Sequence, residues 1–200
     1  MIGYAGDGRE VMFELTELLS CFGPTRGDSI DWNAVEAAYG RRLPSDYQQF
    51  VAVFGSGSIE QALYVQAPAT TTAELAGNVV STLPTGLLAS GNAGGWRDPT
   101  QAGLHRLEDM LLWGWTEQDF LCWIASGEDP DCWPVAVYSR FHAAWSVYPY
   151  GMAEFLLRLL RDEFDEWPIS DVGLRTVSEL RFLHDKDEEA GWELQERPLE

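Results

Sequence analysis

The sequence predicts an α+β fold in which short helices pack on a mixed, largely antiparallel sheet, and three observations carry that expectation. Apolar residues recur at helical spacing in three segments before residue 55. Four aromatic-rich segments of strand length follow one another between residues 110 and 149, and a strongly amphipathic segment begins at Met152. With 200 residues, 46% of them hydrophobic, the chain can bury one sizeable core. Its length suits one domain with appended segments better than two independent ones.

Asp7 followed by Glu10 forms a capping-box-like start for the first helix, in which Val11, Leu15, Leu18 and Leu19 recur before Gly23-Pro24 stops it. Asp31 is placed to cap a second helix whose Trp32, Val35 and Tyr39 share a face, and Gly40 ends it. A third helix starts near Pro44, whose missing amide hydrogen costs nothing in a first turn. Its stripe is Leu43, Tyr47, Phe50, Val51 and Phe54, with Gly55 as the exit.

Gly55-Ser56-Gly57-Ser58 leads into IEQALYV, read as the first strand with Leu63 and Val65 on one face. Residues Thr71 to Leu83 are expected to form another short helix, which Gly77 and Asn78 weaken. Pro84 to Gly103 contains SGNAGG and reads as a long loop, preferred as a mobile partner-binding surface over an ordered element that the pattern misses. MLLWGW, FLCWIA, PVAVYS and AAWSVYP, separated by TEQD, SGEDPDC and RFH, then predict consecutive antiparallel strands. A helical stripe of Met152, Phe155, Leu156, Leu159, Leu160 and Phe164 supplies the cover that one face of such a sheet needs. The acidic end contains Trp167, Leu174, Leu180, Phe182, Leu183 and Trp192, too many apolar anchors for full disorder. The organisation read is an N-terminal helical extension over 1–27, a main domain over 28–165, and an acidic arm over 166–200 packed on that domain with a frayed terminus.

Thirty-two acidic residues against thirteen basic ones leave a formal charge of -19. That balance opposes nucleic acid and anionic membranes and favours a basic partner. The N-terminal stretch lacks the basic start and apolar run of a secretory signal, and no segment has the ~20 apolar residues of a membrane span. Cys21, Cys122 and Cys132 contain no CxxC pair and suit a reducing cytoplasm as free thiols, with pairing of Cys122 and Cys132 the lesser reading.

Chemistry is harder to find. His105, His142 and His184 fall in no HExxH arrangement, and Glu128, Asp129 and Asp131 lack the alternation of a calcium loop, so they read as a polar turn. Ser56 and Ser58 lie outside any GxSxG elbow, and SGNAGG is a weak phosphate cradle in a chain whose one lysine is Lys186, although Arg97 lies close in sequence. Glu117, Asp119, Glu154 and Asp162 could be drawn as an acid-base pair, but nothing selects them from the other carboxylates. No catalytic residue, metal ligand or cofactor is assigned. Trp113 and Trp123 read as core, Trp115 and Trp133 as core nearer to turns, and none has the interleaved basic residues of a base-stacking surface.

The block WNAVEAAYGRRLPSDYQQFVAVFGSGSI, followed by WGWTEQDFLCW, DPDCWPVAVY and GMAEFLLRLL, resembles the SUKH superfamily. The resemblance rests on the order and approximate spacing of Glu36, Gly40, Leu43-Pro44, Asp46-Tyr47, Phe50, Gly55-Ser56-Gly57 and Ile59, and covers residues 28 to 165. That superfamily includes fungal cell-wall-synthesis regulators and many bacterial immunity proteins that neutralise toxins. Membership implies an α+β binding scaffold without a catalytic centre, in which Trp32, Leu43, Pro44, Tyr47, Phe50, Gly55 and Gly57 define the fold. The partner face is not transferable, because it varies with the toxin. The expected partner is a protein, with a basic toxin domain such as a nuclease as the reading, and neither nucleic acid nor membrane is contacted. A cytoplasmic regulatory protein on the same scaffold is the alternative, an enzyme acting on a small molecule or glycan is a third reading, and the oligomeric state stays open. Candidate partner-binding residues are Glu128, Asp129 and Asp131 of SGEDPD, and Asp162, Glu163, Asp165 and Glu166 of DEFDE.

Overall fold

Among the described residues seven strands build the centre of the molecule: β1 (Gly57–Ile59), β2 (Leu63–Val65), β3 (Met110–Trp115), β4 (Asp119–Ile124), β5 (Val135–Ser139), β6 (Ala144–Tyr148) and β7 (Phe182–His184). They form one sheet in the order β6-β5-β4-β3-β2-β1-β7, with every strand pair antiparallel. The computed structural model describes residues 8–23, 25–78, 80–81, 83–84, 87–88, 94–170 and 173–188. The Asp7 cap, Trp192, the end of the arm and the middle of the 84–103 loop lie outside the described residues.

The aromatic segments pair as a meander from β3 to β6, because alternation along each strand sends one set of side chains to each face. Trp113, Leu121, Trp123, Val135 and Val137 point to one face, while Met110, Leu112, Cys122, Ala136, Tyr138 and Trp145 belong to a separate cluster. The first face is covered by α1 (Gly8–Phe22), α3 (Ser45–Phe54) and α5 (Met152–Leu160). The second is covered by Leu83, Leu87, Trp96 and Leu107. A register shift between Leu112 and Gly114 interrupts the β3–β4 pairing at Trp113, which lies with Leu111 on the helical side. There it lies 6.0 Å from Trp123 and 6.4 Å from Phe155, centroid to centroid.

The caps behave as the pattern requires. Asp31 accepts the N–H groups of Asn33 and Ala34 at the start of α2 (Trp32–Tyr39), and Gly40 ends that helix at φ 66°. Pro44 occupies the N-cap of α3 instead of its first turn. It has no side-chain acceptor, so the carboxylate of Asp131 takes the Ser45 N–H at 2.5 Å from outside the helix. Leu43, Tyr47 and Phe50 are buried, the Tyr47 hydroxyl donates to the Gln66 carbonyl, and half-buried Trp32 meets Tyr47 edge-on.

Four expectations change. IEQALYV is two strands, β1 and β2, joined by a tight turn in which Glu60 and Gln61 stand at φ 52° and 55° and the Ala62 N–H bonds the Ile59 carbonyl. Neither glycine nor asparagine marks that turn, and the left-handed backbone is held partly by Arg181, whose N–H bonds Glu60. The Thr71–Leu83 helix is reduced to one turn, α4 (Thr72–Leu75), because Gly77 and Asn78 follow and the Asn78 side chain accepts the Val80 N–H. α5 stops at Leu160, since Asp162 turns left-handed at φ 55°, and Phe164 folds back onto Tyr148 and Phe155. The sheet is antiparallel throughout where a mixed one was allowed, and the parallel contact is an isolated bridge from Trp96 to Trp145. That bridge fastens residues 95–97, within the expected loop, to β6 through bonds from the Trp145 N–H to Gly95 and from the Arg97 N–H to Trp145.

β7 was not foreseen as a strand. It lies along β1, with Gly57 opposite His184 and Ile59 opposite Phe182. The approach is close enough that a Cβ on Gly57 would stand 2.1 Å from the Leu183 carbonyl oxygen, and one on Gly55 2.5 Å from the His184 ring. The GSGS passage is therefore glycine-rich because another backbone lies against it.

Candidate functional site: an acid-rimmed cleft

Gly40 ends α2 and throws Arg41 and Arg42 outward toward the turn between β4 and β5. The Arg41 guanidinium donates to the Ala125 carbonyl at 3.0 Å and lies 5.9 Å from the centre of the Trp133 ring. Arg42 pairs with Asp131 at 3.0 Å and Asp129 at 3.3 Å, and Asp129 accepts the Asp131 N–H. Burial works to raise the Asp131 pKa, but the Ser45 N–H and Arg42 outweigh it and leave the carboxyl below its ordinary value. Two carboxylates of SGEDPD thus clamp the β4–β5 turn to the helix pair.

Between these elements lies a cleft in two adjoining compartments that share Arg41, Asp109 and Ala125. The outer one, about 640 Å³, has Glu36, Asp109, Glu128 and Trp133 in its wall. The inner one, about 440 Å³, is lined by Tyr39, Leu75, Met110 and Leu111 together with Thr72, Ser81 and Glu108, which pairs with Arg106. Burial pushes the Tyr39 hydroxyl pKa up to about 12, so it is a neutral phenol, donating to the Val80 carbonyl and accepting the Ala69 N–H. Both volumes fall in the range of ordinary binding clefts. Glu36, Asp109 and Glu128 have no lysine or arginine at ion-pair distance among the described residues.

Of the first predicted patch, only Glu128 therefore faces the cleft unpaired. The second patch sits elsewhere, beyond α5, and is largely neutralised: Asp162 pairs with Arg175, Glu163 with Arg158 and Glu166 with Arg97. Asp165 is exposed and has no such partner among the described residues. The structure does not bring the two patches together.

The remaining candidates are dispersed. Asp119 is buried under the β3–β4 turn and accepts from the Thr116 and Ser170 hydroxyls, whereas Glu154 pairs with Arg158 and Asp162 with Arg175. His105 meets Gln101 and the Trp96 ring, and His142 stands with exposed Phe141 at the tip of the β5–β6 turn. His184, Asp28 and Ser56 come close together without forming a nucleophile–base pair. The Ser56 hydroxyl donates to Asp185, the His184 Nδ1 accepts the Lys186 N–H, and the His184 Nε2 faces Asp28 at 3.3 Å. Ser58 donates to Glu188, so both serines of GSGS fasten the arm. Cys21, Cys122 and Cys132 form no disulfide, and no group of three or more His, Cys, Asp or Glu among the described residues is arranged to hold a metal. No described helix is long and apolar enough to cross a membrane.

Glu36 and Asp109 were not foreseen as site residues. Their signal was indirect: the adjacent Arg41 and Arg42 in a chain so poor in cations mark a turn surrounded by carboxylates. Comparison with protein-family models, curated proteins and solved structures returns no match.

Proposed function

We propose that the chain is a protein-binding module without its own catalytic centre, built on a SUKH-like scaffold, that neutralises a cognate bacterial toxin by docking its acidic surface on a basic domain such as a nuclease. The observation that supports this reading is the fate of the cations. Every lysine or arginine whose side chain is described is engaged within the fold. Most are ion-paired, while Arg41 and Arg140 bond backbone carbonyls and lie over Trp133 and Phe120. These cations are mostly exposed but answered by groups of the fold itself, and at a formal charge of -19 carboxylates outnumber them heavily. Such a field steers a basic partner to the surface and repels nucleic acid, leaving a bound nuclease unable to reach its substrate.

Co-expression with the product of the adjacent gene tests the reading. A stable complex and rescue from that product's toxicity are expected, with an association rate that falls steeply as salt rises. Absence of both binding and inhibition for any neighbouring toxin would refute the immunity role, and a non-toxic neighbour that binds would favour the regulatory alternative.

A further inference from the structure

Resting on the protein-binding reading, we propose that the two-compartment cleft is the docking site and that its occupant is an extended partner segment carrying a basic side chain next to an apolar one. The outer compartment supplies the charge half of the fit. Glu36, Asp109 and Glu128 come from α2, the turn before β3 and the turn after β4, and none has a lysine or arginine partner among the described residues. Three separate elements thus bring carboxylates without an ion-pair partner to one mouth, whose two arginines, Arg41 and Arg42, are already engaged by the Ala125 carbonyl and by Asp129 and Asp131. A guanidinium or ammonium entering there meets charge that the free protein leaves unanswered.

The inner compartment supplies the apolar half. Leu75, Met110, Leu111 and the neutral Tyr39 ring offer a leucine-sized side chain an apolar wall, while Glu108 beside them is paired with Arg106 and Asp109 stands where the two compartments meet. Arg41 stands at the junction, held by the Ala125 carbonyl and the Trp133 ring. Glu36 and Glu128 line only the outer compartment, so the basic group is held at the outer mouth. The cleft therefore reads a pattern, basic outside and apolar inside, and not charge alone.

The test uses fluorescein-labelled peptides of repeated Arg-Ser-Leu-Ser, Arg-Ser-Ser-Ser and Glu-Ser-Leu-Ser units with the full chain, read by fluorescence anisotropy. The Arg-Ser-Leu-Ser peptide should bind most tightly. The double change Glu36→Gln/Glu128→Gln should weaken it about tenfold, whereas Glu117→Gln/Glu179→Gln, which removes the same charge elsewhere, should shift it less than about twofold. Leu75→Ser should weaken the leucine-containing peptide and leave the Arg-Ser-Ser-Ser peptide unchanged. Equal losses from the two doubles would reduce the effect to the general field and overturn the site, as would no binding of the Arg-Ser-Leu-Ser peptide. Equal affinity for the two arginine peptides would overturn the apolar half. If a neighbouring gene product binds and its affinity survives Glu36→Gln/Glu128→Gln, the site falls while the protein-binding reading stands. If the peptides behave as expected and no neighbouring product is bound, the site stands and the immunity reading falls.

Discussion

The carboxylate of Asp46, on α3, accepts the Ala153 N–H at the start of α5 at 3.0 Å, so one helix caps another across 107 positions of sequence. Gly151, the N-cap of α5, has no side chain to do this, and a Cβ there would stand 2.8 Å from the same carboxylate. Removing the acceptor should leave the first turn of α5 unsatisfied beside the core. Asp46→Ala is expected to cost ~1–3 kcal/mol in urea unfolding, with Asp46→Asn costing less because its amide oxygen can still accept.

Asp46 also predicts a pH effect. Burial raises its pKa above the ordinary 3.8, the charge of Asp131 adds to the rise, and the Ala153 and Tyr47 N–H groups only partly oppose it. A carboxyl whose folded pKa is raised contributes stability that is full below 3.8 and is lost as pH climbs through the folded value. Asp46→Asn has no such proton to lose. Its stability relative to the parent should improve as pH rises through that window, which unfolding curves at successive pH values would reveal.

Asp28 predicts the opposite sign. Burial tends to raise its pKa, but the Ser56 N–H bond, Lys186 and His184 outweigh it and hold the carboxyl below 3.8. Its stabilisation is present above 3.8 and disappears as pH falls through the lower folded value. Asp28→Asn should therefore be destabilised at neutral pH, and its gap from the parent should close in acid.

The contact between β1 and β7 makes Gly57 sensitive to a single methyl group. Gly57→Ala should force the Leu183 backbone away and destabilise the protein by more than ~1 kcal/mol. Hydrogen exchange should locate the damage, with faster exchange at the arm's β7 amides than in β4 and β5.

Two tryptophans on neighbouring strands should respond differently. Trp123 is fully buried between Tyr47 and Trp113, and Trp123→Ala should cost ~3–5 kcal/mol. Trp115 is half-buried and stacks on Tyr64 at 5.2 Å, so Trp115→Ala should cost well under half as much by the same measurement.

What was legible in the sequence was what neighbours along the chain decide. The Asp31 cap, the Gly40 stop and the four aromatic strands depend on spacing and local backbone chemistry, and all appear where the pattern puts them. The apolar stripe of α3 likewise announced that Tyr47 and Phe50 would be buried, because a helix turns every fourth side chain to the same face. Illegible were the turn at Glu60-Gln61 and the strand at Phe182–His184. The first adopts a left-handed backbone without the residues that favour it, and the second becomes a strand only because β1 offers it an edge.

The same division runs through the candidate site. Composition determined that the chain would carry a large negative charge, but it could not say which carboxylates remain available. Only the tertiary structure decided that Asp129 and Asp131 are held by Arg42, and that in DEFDE Glu166 answers Arg97 from a distant segment while Asp162 and Glu163 pair with Arg175 and Arg158 nearer in sequence. It also decided that Glu36, Asp109 and Glu128, far apart in sequence, share one cleft. The physical reason is the range of the forces involved. Capping and periodic burial act over a turn or a strand, whereas ion pairing depends on distances that exist only once the sheet has drawn those segments together.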